Sequence, residues 1–276
     1  MSAVAVLSLF VYFYLLELVG ASVITALGWT ACLFLQVPWA PSAPLWFAGY
    51  LFVYNLDRLH LDPADRLNTP LRVRWANKLR LWRLILILSS GCVLVLFPLA
   101  THRPWLPIAL GCLVVPCFFY SRPIPWLGFR LKDLSSLKSV FLPFFIACIL
   151  VIWPCWEAGR SLGPLEWLVF CWCFCALTIN SLVFDYRDIG GDRRYGTRTI
   201  PTQLGTVWTL WLLAGLAAML IALSALMPLH RFAVAIALAG VSIALLSVVK
   251  WRPHPLGISL LADVLLLVPA LVESVR

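Results

Sequence analysis

Three aspartates, Asp185, Asp188 and Asp192, are spaced so that they would share one face of a helical end. Neighbouring anions repel one another, and a divalent cation stabilises them. Mg²⁺ takes one or two protein carboxylates and completes its shell with water and substrate phosphates. The same segment carries four arginines, whose guanidinium groups suit phosphate oxygens: Arg187, Arg193, Arg194 and Arg198. The combination predicts metal-bridged binding of a diphosphate, and a solvated, salt-bridged loop is the alternative.

A second cluster of aspartates, Asp57, Asp62 and Asp65, lies earlier in the chain. Asp57 and Asp65 are two helical turns apart, and Pro63 predicts an irregular backbone that would let Asp62 turn toward them. Alone, this cluster is equally typical of a plain polar loop. If both clusters lie at the same membrane face, they indicate a shared site between helices, as in bundles that bind metals in their interior.

The elements that must position these clusters are membrane helices. Of the 276 residues, 62% are hydrophobic and 12% charged, and the mean hydropathy is +0.94. Soluble domains contain about 45–50% apolar and about 25% charged residues, so this composition excludes an ordinary soluble enzyme. A membrane span needs about 20 apolar residues. Charged or proline-rich breaks separate nine such segments: residues 4–36, 43–57, 82–101, 105–121, 138–156, 164–185, 206–228, 231–249 and 256–272.

No polar linker interrupts this series of segments. The sequence therefore predicts an all-α integral membrane bundle of nine transmembrane helices, with residues 1–276 in a single domain. The first segment is long for one crossing and is expected to form one long, tilted or kinked helix. The nine cysteines fall in apolar stretches without metal-ligand spacing, which favours a packing role for them.

The basic residues predict the orientation of this bundle. Nine spans place the loops after spans 2, 4, 6 and 8 on one side, and 17 of the 21 Lys and Arg residues lie in these loops or at the adjoining ends of spans 3 and 5. By the positive-inside rule this side is cytoplasmic. The net charge of +9 thus reflects membrane topology and not a nucleic-acid partner. Both aspartate clusters follow even-numbered spans, so the central cavity is expected to open near the cytoplasmic face.

The second cluster resembles a motif of the UbiA-type intramembrane prenyltransferases, a family with nine helices and two aspartate-rich motifs after helices 2 and 6. The segment Asp185-Tyr-Arg-Asp188-Ile-Gly-Gly-Asp192-Arg-Arg-Tyr-Gly196 and its continuation Thr199-Ile-Pro-Thr-Gln-Leu-Gly205 are similar to the family's DxxxDxxxG and TxPxxxG patterns. The resemblance covers essentially the whole chain through helix number and motif placement.

The resemblance implies Mg²⁺-dependent transfer of an isoprenyl group from an isoprenyl diphosphate to a lipophilic acceptor, such as an aromatic one, within the bilayer. It implies catalytic roles for Asp57, Asp188 and Asp192. The aspartates it assigns to the metal are Asp57, Asp62, Asp65, Asp185, Asp188 and Asp192. Diphosphate binding would involve Asn55, Arg58, Arg193 and Arg198, the pair Tyr120-Ser121, and Lys138, which fits a basic residue near the family's donor.

The first cluster departs from the family's NDxxDxxxD pattern, because Leu61 stands where the middle acid is expected. Two other functions therefore stay open: a cyclase of the same family that uses the isoprenyl diphosphate alone, and a membrane protein that binds the diphosphate without turnover. Glu17, Asn180 and Asp263 lie inside predicted spans, where polar groups serve a functional site or bond neighbouring helices. The sequence does not define the acceptor, the isoprenyl chain length or the oligomeric state.

Overall fold

The computed structural model describes residues 11–38, 43–61, 63–100 and 137–227, and the positions 111, 115, 119–120, 125–126, 128, 237, 240–241, 258, 262–263 and 266–267. All regular structure in these residues is helical. The helices are α1 (Leu18–Leu35), α2 (Ala43–Asp57), α3 (Asp65–Asn68), α4 (Pro70–Ala76), α5 (Arg80–Ala100), α6 (Leu137–Glu157), α7 (Pro164–Arg187), α8 (Ile189–Tyr195) and α9 (Ile200–Ala225).

Five helical segments in this part of the chain are long and apolar enough to cross a membrane: Leu18–Leu35, Arg80–Ala100, Ser139–Glu157, Pro164–Arg187 and Ile200–Ala225. They correspond to predicted spans 1, 3, 5, 6 and 7. Span 2 is α2, whose 15 residues rise only about 22 Å. Predicted spans 105–121, 231–249 and 256–272 lie largely outside the described residues, and the count of nine stays a prediction.

Helix α7 lies at the centre of the bundle, where it contacts α1, α6 and α9. Its middle turns are buried, and Trp172 Nε1 donates a hydrogen bond to Ser224 Oγ of α9 at 2.8 Å. Cys173 and Cys175 are buried in the same apolar core. By contrast, α5 and α9 leave large apolar side chains exposed, Leu88 at 69% and Trp211 at 68%. In a membrane protein such apolar faces contact lipid. The high hydrophobic content that excludes an ordinary soluble enzyme is thus explained in part by these exposed faces.

The first predicted helix is interrupted at Glu17. Residues 11–15 are helical, Leu16 and Glu17 form a turn, and α1 begins at Leu18. Glu17 has a left-handed backbone, with φ 65°, a conformation that is uncommon for residues other than glycine. The long first segment is therefore kinked at Glu17. The break turns the Glu17 carboxylate into the interior, where two arginines bind it.

Candidate active site

A cavity of about 260 Å³ lies where α2 and α7 end and α3 and α8 begin. Five of the six predicted aspartates line this one cavity: Asp57, Asp65, Asp185, Asp188 and Asp192. The sixth, Asp62, lies outside the described residues. Two segments more than a hundred residues apart thus contribute carboxylates to one space, as a shared site between the two clusters requires.

The second cluster is not on one continuous helix. Asp188 ends α7 and precedes α8, with non-helical backbone angles (φ −88°, ψ 1°). All three acids still line the cavity, because the chain turns there and continues into α8. Asp185 and Asp192 are almost fully buried. Ser139 Oγ donates to Asp185 Oδ2 at 2.5 Å, and the Arg187 guanidinium makes two hydrogen bonds of 2.7 Å to the two oxygens of Asp188.

Asn68, at the end of α3, connects the two clusters. Its amide nitrogen lies 3.5 Å from Asp192 Oδ1, and its Oδ1 accepts a hydrogen bond from the Gly191 backbone N–H at 2.9 Å. A Cβ on residue 191 would lie 2.2 Å from Asn68 Oδ1. Glycine at 191 therefore permits the close approach of α3 to α8. Sequence reasoning missed Asn68, and the only signal was its position three residues after Asp65.

In the first cluster, α2 ends at Asp57, the chain turns, and α3 begins at Asp65. Asp57 and Asp65 therefore belong to two different helices and do not share one helical face. They nevertheless line the cavity together, as does Arg58, whereas Leu61 is exposed and does not.

Glu17 joins the first cluster to the start of the chain. Its Oε1 accepts a hydrogen bond from Arg58 Nε at 3.2 Å and lies 3.3 Å from Arg72 Nη2. Burial alone would lower the pKa of Arg58, but the carboxylates of Glu17, Asp57 and Asp65 raise it above its usual value. The guanidinium thus keeps its charge at every accessible pH. Arg72 had no assigned role in the sequence interpretation.

The other residues predicted to bind the diphosphate differ in their position relative to the cavity. Tyr120 is buried and lines the cavity. Asn55 is buried on another side of α2, where its amide donates to the Leu16 and Leu51 carbonyls at 3.1 and 3.0 Å. Arg193 and Arg198 are exposed and do not line the cavity. Ser121 and the side chain of Lys138 lie outside the described part of the chain, although residue 138 itself belongs to α6.

The described wall of the cavity carries an excess of negative charge. Its seven carboxyl side chains, Glu17, Asp57, Asp65, Asp185, Asp188, Asp192 and Asp263, face three guanidinium groups, Arg58, Arg72 and Arg187. Ionised, these groups sum to four net negative charges, which would repel an anionic ligand unless cations accompany it.

The donor set of this wall fits Mg²⁺, whose ligands in proteins are carboxylate oxygens, water and substrate phosphates. Among the described residues no three side chains of metal-ligating type converge on a single point. Mg²⁺ does not need such a cluster, because it takes only one or two carboxylates from the protein and draws its other ligands from a bound phosphate.

An apolar pocket of about 80 Å³ adjoins the cavity. The two share five lining residues, Ile24, Tyr50, Tyr54, Leu142 and Ile146. Tyr50 and Tyr54 stack with ring centroids 4.0 Å apart at this junction. Beyond them the pocket wall is hydrocarbon and indole, with Trp46 and Trp153 among its residues. The site thus joins a charged compartment to a hydrophobic one.

Fold and site together define the class: an integral membrane protein, helical throughout its described part, with a carboxylate-lined cavity at the ends of its helices. Residues 64–256, more than half of the chain, match the UbiA prenyltransferase family, and the chain belongs to this family. The apo structure of a UbiA homolog from Aeropyrum pernix K1 has the same fold, with a TM-score of 0.55 at 18% identity over 92% of this chain and 98% of that one. No curated protein sequence matches the chain.

Proposed function

We propose that the protein transfers an isoprenyl group from an isoprenyl diphosphate to a lipophilic acceptor, such as an aromatic compound, in an Mg²⁺-dependent reaction within the membrane. The observation that carries the proposal is the direct junction of the acidic and arginine-containing cavity with the apolar pocket. An isoprenyl diphosphate has the same two parts, an anionic head and a hydrocarbon chain. Membership of the UbiA family supports the same activity.

The head of the donor would bind among the two clusters. Bound Mg²⁺ supplies a Lewis acid that neutralises the leaving diphosphate. The residues that would hold it are the cavity-lining aspartates Asp57, Asp65, Asp185, Asp188 and Asp192, with Asp62 as the sixth predicted ligand. Arg58 and Arg72 would bind diphosphate oxygens. The assignments of Asn55, Tyr120, Ser121, Lys138, Arg193 and Arg198 to the diphosphate stay predictions.

The chain of the donor would extend past Tyr50 and Tyr54 into the apolar pocket. Loss of diphosphate leaves an allylic cation, and the faces of aromatic rings attract cations. Exclusion of water from this compartment would protect the cation from hydrolysis. We further propose that residues 1–276 form one domain and that the site opens on the cytoplasmic side, where the basic loops are concentrated.

The test is diphosphate release by the purified protein with Mg²⁺, isoprenyl diphosphates of several lengths and a panel of acceptors. Asp188→Asn and Asp192→Asn each remove a carboxylate charge from the cavity, and we expect each to lower the rate at least about 100-fold, as loss of a transition-state electrostatic contact does. The matched control is Glu157→Gln, an acid-to-amide change at the end of α6, outside the cavity wall. It should leave the rate near that of the unchanged protein.

Mass spectrometry of the products distinguishes the competing functions. A product that contains both donor and acceptor supports the transferase. A hydrocarbon or alcohol formed from the donor alone identifies a cyclase, and Mg²⁺-dependent binding without any product identifies a binding protein. Diphosphate release that is unaffected by Asp188→Asn and Asp192→Asn would show that the chemistry occurs elsewhere.

A further inference from the structure

Transfer to a hydroxyl oxygen or an aromatic ring carbon requires a proton acceptor. The C–O bond of the donor breaks, and its electron pair leaves with the diphosphate. The acceptor atom forms a new bond to the isoprenyl carbon and then loses its hydrogen as a proton. Because the site lies inside a membrane bundle, a carboxylate in the cavity wall is the natural group to receive that proton.

Two carboxylates line the cavity outside the aspartate clusters, Glu17 and Asp263. Glu17 is engaged by Arg58 at 3.2 Å and by Arg72 at 3.3 Å. Both guanidinium groups contact the same oxygen, Oε1, so this carboxylate forms an ion pair with two arginines. Glu17 is therefore suited to holding these arginines at the cavity wall.

Asp263 is held differently. The Asn180 side-chain amide donates a hydrogen bond to the backbone carbonyl oxygen of the adjacent Ala262 at 2.9 Å. In the described part of the chain no lysine or arginine forms an ion pair with Asp263. The charged groups that act on it from a greater distance are Glu17, Arg72 and Arg187. A neutral amide thus holds the backbone next to Asp263, and Asn180 and Asp263 both line the cavity.

The position of Asp263 within the cavity separates it from the predicted metal ligands. Its partner Asn180 precedes Asp185 by five residues on α7, which corresponds to about 7.5 Å along the helix axis. Asp263, next to the residue that Asn180 bonds, therefore lies further from the end of α7 than Asp185 does, and the proposed diphosphate site is at that end. An acceptor that attacks the isoprenyl carbon from beneath the diphosphate would lie next to this carboxylate.

We propose that Asp263 is the catalytic base of the transfer, which takes the proton released by the acceptor on a carboxylate oxygen, and that Asn180 positions it. This assignment rests on the proposed function. For Asp263, which lies inside a predicted membrane span, the sequence allowed either a functional or a structural role. The proposal assigns it the functional one.

The experiment separates ionisation of the donor from transfer. A donor labelled with ¹⁸O in the bridging C–O position scrambles the label into the non-bridging oxygens whenever the C–O bond breaks and reforms, without any acceptor. We expect Asp263→Asn to lower the kcat of transfer about 100-fold and to change the scrambling rate by less than about threefold, since loss of a general base costs about 10²–10⁴ in rate. The matched control is Glu17→Gln, which should raise the KM for the donor and leave the ratio of transfer to scrambling unchanged.

Each outcome is decisive. Unchanged transfer by Asp263→Asn overturns the proposal. So does an equal loss of transfer and scrambling in a variant that elutes and melts like the unchanged protein, because Asp263 would then serve ionisation. Asn180→Ala provides the second test, with a smaller loss of transfer and an intact scrambling rate expected. If the unchanged protein neither scrambles nor transfers, the proposed function itself fails, and the role of Asp263 fails with it.

Discussion

At the residue scale, the acids of the second cluster are oriented by partners of different charge. Asp185 accepts a hydrogen bond from the neutral Ser139 hydroxyl, and the neutral Asn68 amide lies 3.5 Å from Asp192. Asp188, by contrast, is already paired with the Arg187 guanidinium through two hydrogen bonds. A bound metal and diphosphate would offer each member of this pair a new partner, with the carboxylate turning to the cation and the guanidinium to the phosphate.

Gly191 allows a direct test of the contact between the clusters. We expect Gly191→Ala to displace Asn68 and to lower the free energy of unfolding by about 1–3 kcal/mol, the usual effect of overpacking, and to slow diphosphate release. Gly190 is the matched control, because a Cβ there meets no atom within 4 Å. Denaturation in mixed micelles measures the stability of both variants. Equal effects of the two substitutions would show that the close approach of Asn68 does not matter.

The sequence could predict residues whose partners are close in the chain, but not residues whose partners are distant in it. The aspartate clusters were recognisable because their acids are close in the chain and follow apolar segments. Asn68 and Gly191 are separated by 123 residues, and only tertiary packing brings them together. The break at Glu17 has the same origin, since Arg58 and Arg72 from other segments stabilise a backbone conformation that local preferences disfavour.

At the element scale, the TxPxxxG segment builds the beginning of α9. Thr199 caps the helix, with Thr202 as its reciprocal partner, and Pro201 lies in the first turn. Gly205 then interrupts the helix with φ 77° and ψ 174°, a region that glycine alone occupies without strain. The sequence identified this segment by resemblance, whereas the structure gives its physical meaning as a capped first turn followed by a kink. The arrangement brings Thr197 to the cavity wall.

A substitution at this kink should therefore be costly. We expect Gly205→Ala to lower the free energy of unfolding by about 1–3 kcal/mol, because alanine is strained at this backbone conformation. Gly215 of the same helix is exposed and has no atom within 4 Å of an added Cβ. Gly215→Ala should have no effect or stabilise the protein slightly, as alanine favours a helix. Denaturation in mixed micelles again provides the measurement, and a harmless Gly205→Ala would contradict the kink.

At the scale of the whole molecule, helix lengths and charges define a polarity across the membrane. Helix α7 has 24 residues and is about 36 Å long, enough to cross a hydrocarbon core of about 30 Å. A helix of this length that crosses the bilayer has its two ends on opposite sides. The end that carries the second cluster continues into Arg193, Arg194 and Arg198, whereas the other begins near Arg160 alone. The hydrophobic segments were evident in the sequence, but the depth of the cavity was not, because it depends on how their ends pack.

The orientation is testable with two exposed positions at the two ends of α7. Tyr195 is 49% and Leu162 40% exposed, and each can be replaced by cysteine in a variant whose nine native cysteines have been removed. Because basic loops are retained in the cytoplasm, we expect a membrane-impermeant maleimide to label Leu162→Cys in right-side-out vesicles. Tyr195→Cys should react only after the vesicles are permeabilised. The reverse pattern would place both aspartate clusters on the outer side and would contradict the proposed orientation.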